Sequence, residues 1–223
     1  MRKVNIKNIH HSQFYYALSV LLLLSCSSLA AKQTDKINSA LLENAQLQQQ
    51  KLIDAHGLSQ HSDWQKRCLE MITTLELKRF EHCLILKASF ANAYSLAHGS
   101  VILTEGLLQN INNDDQLAHI LAHEHAHLNL SHHQQAQKMV KNPPKLFTKA
   151  RIKKFYRKIE READQAADDT LMKQQRDRLQ IHHYLLRIEQ NTEEYSNDHQ
   201  KLKHRIQRNN LPVEVIETFW ANE

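Results

Sequence analysis

Punctuation is scarce in this chain: three glycines and three prolines occur among 223 residues. So few turn-forming residues exclude a fold built from many short strands, and long stretches of polar-apolar periodicity predict a mainly helical protein. An apolar run long enough to span a membrane is also missing. The core from Ala17 to Leu24 falls short of the about 20 residues a spanning helix needs. Excess charge of one sign is missing too. The formal net charge of +5 owes three units to Arg2, Lys3 and Lys7. Without them 26 basic residues face 24 acidic ones, a balance that gives no support to nucleic-acid binding. The basic run from Lys138 to Arg161 reads as a solvated helix face. No internal repeat is present.

The apolar core follows those three basic residues and precedes Ser28-Leu29-Ala30, the layout of a secretory signal and its cleavage site. Residues 1–30 are therefore expected to be a signal peptide, and 31–223 one mature domain of about 193 residues, long enough for a sizeable core. Leu23-Leu24-Ser25-Cys26 resembles a lipoprotein box, in which the signal ends before Cys26 and the lipidated cysteine associates the protein with the outer membrane. Both readings place it in the periplasm, soluble or lipid-anchored. Cysteine is the third scarcity. Once Cys26 is lost or lipidated, Cys68 and Cys83 remain in an oxidising compartment and are expected to pair. Closing their loop of about 15 residues contributes roughly 3 kcal/mol in the chain-entropy model.

Periodicity places helices over Lys36–Ala55 and Asp63–Leu75. His82 to Leu96 alternates and carries β-branched and aromatic residues. Gly99 separates it from Ser100-Val-Ile-Leu-Thr104, so two or three strands are expected. Another helix should start near Asn113 to Asp115, where short polar side chains cap and acidic charge suits the dipole, and run past His127. Asn142-Pro143-Pro144 breaks the chain, and a long helix follows from Lys149 to Lys173.

What the chain has in abundance is histidine, 16 residues in all. His123, Glu124 and His127 form an H-E-x-x-H motif on the predicted helix. At about 100° per residue the two histidines fall on one face, one turn apart, so their imidazoles can share a metal ion. Glu124 lies near the middle of the apolar stripe of Leu117, Ile120, Leu121, Leu128 and Ser131, where an unpaired carboxylate is costly. One zinc ion per chain relieves that cost. It lowers the pKa of a water whose proton Glu124 can accept. The abundance of histidine makes a five-residue match easier to reach by chance, so the motif needs a third ligand. His125, His132 and His133 lie off the zinc face or beyond it and read as ordinary surface histidines.

Glu160-Arg-Glu-Ala-Asp164 supplies that ligand. On the long helix, Ile152, Phe155, Tyr156, Ile159, Ala163, Ala166, Ala167 and Leu171 define an apolar stripe, and Glu160 sits about 60° from its centre. Glu160 is thus the carboxylate expected to point inward. Asp164, one turn on, could orient a ligand histidine. Glu162 reads as an exposed helix charge.

His123-Glu-His-Ala-His127 combined with Glu160-Arg-Glu-Ala-Asp164 resembles the gluzincin peptidases that include HtpX, BepA and the CAAX prenyl proteases. Asn92 to Leu108 is similar to the strand-and-turn segment before that family's zinc helix. Asp198-His199 with Arg205-Ile206 resembles its Thr-His-Pro…Arg-Ile element. The chain departs from the pattern at Leu96-Ala-His-Gly99, where the family tends to Leu-Pro-Gly-Gly, and at Gln200, where proline is usual. The resemblance implies an α+β, predominantly helical, zincin-like domain with a small β-sheet beside the active-site helix. It also implies a zinc endopeptidase in which His123, His127 and Glu160 hold the metal, Glu124 is the base and His199 or Arg205 stabilises the oxyanion. Unfolded or misassembled envelope polypeptides are the implied substrates, held along an edge strand around Ser100 to Leu103. Two rival readings are a low-activity, zinc-bound, chaperone-like protein of envelope assembly and a histidine-rich zinc buffer.

Overall fold

Ile102 is buried on a strand that has neighbours on both sides, and this one fact organises the sheet. In the computed structural model, which describes residues 39–142, 145–146 and 148–191, the strands are β1 (His82–Leu86), β2 (Ala93–Leu96) and β3 (Ser100–Thr104). Their order is β1-β3-β2. β3 runs parallel to β1, with Leu84 opposite Ile102, and antiparallel to β2, with Tyr94 opposite Ile102. The expectation of an edge at Ser100 to Leu103 is therefore corrected: the last strand in sequence inserts between the first two and is buried along its whole length. The edges are β1 and β2. β1 is covered by the segment at 57–59, where Ser59 N donates to Ile85 O and Lys87 N donates to Gly57 O.

Helices flank this sheet. They are α1 (39–56), α2 (Ser62–Thr74), α3 (Glu105–Gln109), α4 (Asp114–Asn129), α5 (His132–Lys141), α6 (Thr148–Lys173) and α7 (Gln180–Asn191). The chain divides into two compact units after Glu43, and all that follows concerns the second. The expected signal peptide, Cys26, His199 and Arg205 lie outside the described residues. Strand alternation splits the core in two. Cys83, Ile85, Ala93, Val101 and Leu103 join the large cluster with α2, α4, α6 and α7. Leu86, Leu96 and Ile102 face the other way and meet Ala45, Leu52 and Ile53 of α1.

The predicted cap of α4 is in place. Asn113 Oδ1 accepts from Gln116 N at 3.0 Å, with Asp114 and Asp115 in the first turn of α4. Thr104 ends β3 and caps α3, accepting from Leu107 N while donating to Phe90 O. Cys68 and Cys83 pair, joining α2 to β1. The fold is α+β and predominantly helical, with the small sheet beside the H-E-x-x-H helix.

Candidate active site

α4 is the central helix, and its residues 116–128 are all buried. A helix surrounded on all sides cannot show a clean amphipathic pattern, so its polar residues need partners from its neighbours. For three of its histidines partners come from α6, which packs against it. His127 meets Glu160, His123 meets Asp164, and His119 meets Asp168. Each step of four back along α4 is matched by a step of four forward along α6, as antiparallel helices require.

The two rungs nearest the motif form a metal-binding set. His123 Nε2 and His127 Nε2 are 3.1 Å apart. Glu160 Oε2 is 3.6 Å from the first and Oε1 is 3.5 Å from the second. One ligand atom from each of the three residues lies within 4.8 Å of the others, and all three residues are buried. Two imidazole nitrogens and a carboxylate converging in a buried site are the donor types and the number that a catalytic zinc takes from protein, so this donor set fits zinc. Asp164 Oδ1 lies 2.9 Å from His123 Nδ1. As acceptor there it holds the ring proton on Nδ1 and leaves the Nε2 lone pair facing the cluster.

The electrostatics suit ligation. Burial first, then the neighbouring His123, pushes His127 down to about 3, against the opposing pull of Glu124 and Glu160. His127 is therefore neutral at physiological pH, the form that binds metal. Glu124 is 3% exposed on the same helix, and its charge reaches both His127 and His133.

Three further histidines are placed otherwise than expected. His125 is buried, edge-on to Phe80 and bonded to the Asn129 amide. His132 is buried against His127. His133 is mostly enclosed, with Nε2 3.3 Å from Ser95 Oγ on β2. None is an ordinary surface residue. α4 ends at Asn129, and Ser131 adopts φ +54° before α5 begins. That left-handed residue reverses the chain and lays His132 and His133 back over the site, a path that continued helical periodicity does not describe. Glu162 is only half-exposed, 3.4 Å from His132 Nε2. Sequence reasoning missed the His119–Asp168 rung, although the recurrences 119-123-127 and 160-164-168 were a readable signal.

A helix carrying H-E-x-x-H, a glutamate brought beside it by a second helix and a small sheet alongside make a candidate metal centre. The model of Peptidase family M48 matches residues 58–146, a segment that includes the sheet, α4 and the whole H-E-x-x-H motif, and the match supports the M48 gluzincin family to which HtpX, BepA and the CAAX prenyl proteases belong. M48 peptidases are zinc-dependent metalloproteases. Glu160 lies beyond the matched segment, and its place in the site rests on geometry. The chain has no match among curated proteins.

Proposed function

We propose that this protein is a zinc-dependent endopeptidase of the bacterial cell envelope that degrades unfolded or misassembled envelope polypeptides. The observation that carries the reading is the convergence of His123, His127 and Glu160 with Glu124 buried on the same helix. Zinc, when bound, supplies Lewis acidity that polarises a carbonyl and acidifies a water. Glu124 accepts the proton from that water and can pass it to the leaving amine. Asp164 keeps His123 in the ligating tautomer. His199 or Arg205 would stabilise the oxyanion. Substrate is held by β2: Thr104 N donates to Asn92 O, so by antiparallel alternation Ser95 N and O and the Ala93 carbonyl face away from β3, where an extended peptide can add, while Ala93 N already donates to Asn92 Oδ1. Main-chain pairing of this kind tolerates many sequences, as a quality-control peptidase requires. Export and a lipidated Cys26 would place the enzyme in the periplasm or at the outer membrane. No helix among the described residues is long and apolar enough to cross a membrane.

The test compares casein cleavage by wild type, Glu124→Gln and chelator-treated protein, with zinc measured in each. The expected result is a loss of about 10²- to 10⁴-fold in Glu124→Gln with zinc retained, since general acid–base catalysis contributes about that much. Full cleavage by Glu124→Gln would sink the mechanism. Retained biological function in that variant would favour the chaperone-like reading.

A further inference from the structure

Asp164 explains how His123 is oriented, but His127 needs an equivalent. With Nε2 turned to the cluster, a neutral His127 carries its proton on Nδ1, and a buried donor left without an acceptor costs about 1–3 kcal/mol. The atom facing it is Nδ1 of His132, 3.0 Å away. The rings meet edge-on with centroids 5.0 Å apart. Two ring nitrogens at that distance need one N–H and one lone pair between them. His127 supplies the N–H, so His132 Nδ1 is the acceptor and the His132 proton must sit on Nε2. That nitrogen is itself buried, with no partner in full hydrogen-bond geometry among the described residues, and Glu162 Oε2 stands 3.4 Å from it. The carboxylate is slightly long for a bond, and its side chain is 38% exposed, so a small rotation can shorten the contact.

We infer that His132 is the positioning residue of His127, fixing its Nδ1–H tautomer, and that Glu162 in turn orients His132. This rests on the zinc-peptidase reading. The run Glu160-Arg-Glu-Ala-Asp164 then serves one metal centre three times: Glu160 as ligand, Asp164 through His123, and Glu162 through His132 and His127. The left-handed turn at Ser131 is what brings His132 within reach.

The test uses the full protein as wild type, His132→Phe, His132→Asn, Glu162→Gln and Glu160→Gln, with folding checked by circular dichroism. Zinc affinity is measured by chelator competition, and the cobalt(II)-substituted site by its visible absorption. His132→Phe is expected to weaken zinc binding about 10- to 100-fold and to alter the cobalt spectrum. His132→Asn, whose amide oxygen can accept from Nδ1–H, recovers most of the loss, a rescue that mere packing does not produce. Glu162→Gln, on a half-exposed site, loses affinity at the low end of that range, about tenfold. Wild-type affinity and spectrum in both His132→Phe and Glu162→Gln would overturn the inference. If His132→Phe fails to fold, Glu162→Gln decides alone: unchanged affinity overturns it, and a loss supports it. Zinc binding abolished by Glu160→Gln but untouched by the His132 and Glu162 variants refutes this inference only, whereas no zinc in the wild type refutes the peptidase reading as well.

Discussion

Asp164 decides which nitrogen of His123 carries the proton, and a carboxylate does this better than any neutral side chain because it can only accept. Asn at the same position can turn its NH₂ toward Nδ1 and favour the tautomer that points a proton at the cluster. Asp164→Asn should therefore raise the zinc dissociation constant about 10- to 100-fold without altering the far-ultraviolet circular dichroism. An unchanged constant would mean that the 2.9 Å contact is incidental. Glu124 is different in kind: its charge reaches His127 and His133 but it stands outside the donor set of His123, His127 and Glu160, so its replacement should affect the chemistry and leave that set intact.

Between elements, the pairing of α4 with α6 sets the site's geometry, and the third rung extends it. His119 Nε2 lies 3.2 Å from Asp168 Oδ1, and Arg178 reaches the other oxygen of Asp168. Elsewhere the constraint is covalent or steric. The Cys68–Cys83 bond ties α2 to β1 across a separation of 15 residues. Replacing both cysteines by alanine should cost about 3 kcal/mol, read as a fall in melting temperature of roughly 6–12 °C. A shift within error would place the bond outside the stability of the domain. Gly106 is limited by space: a Cβ there would stand 1.9 Å from Ser89 O and 2.7 Å from Phe90 O. Backbone cannot yield as a flexible side chain can, so Gly106→Ala should destabilise by roughly 3 kcal/mol, measurable by urea denaturation. Near-wild-type stability would show that α3 can move off the sheet.

At the scale of the whole molecule, the buried histidines make the metal-free fold sensitive to acid. Burial, and then the nearby Arg79, lowers His125 to about 4, and burial also lowers His119, His132 and His133. These folded-state values lie below the ordinary 6.5 of imidazole, so below about pH 6.5 the unfolded chain binds more protons than the folded one. Stability therefore falls as pH drops from about 6.5 toward 4. The melting temperature of chelator-treated protein should decline over that window, and His125→Gln should flatten part of the decline. Equal slopes in the variant and the wild type would remove His125 from the account.

Local patterns in the chain were enough to place most elements. The stretch Asp63–Leu75 corresponds to Ser62–Thr74, and Lys149–Lys173 to Thr148–Lys173, because amphipathic periodicity and capping residues act over a few positions. The convergence of His123, His127 and Glu160 was equally legible. Histidines four apart share a helix face whatever surrounds them, and Glu160 lay on the flank of its own helix's apolar stripe. The sulfur pairing was anticipated from the cysteine count together with an expected oxidising compartment. Tertiary structure alone decided the strand order, since β3 reads the same as an edge or a centre until β1 pairs with one side and β2 with the other. It also decided the fate of His132 and Glu162. A serine gives no warning that it will take a left-handed conformation, and once Ser131 does, a histidine that helical spacing sends away from the site is folded back against His127.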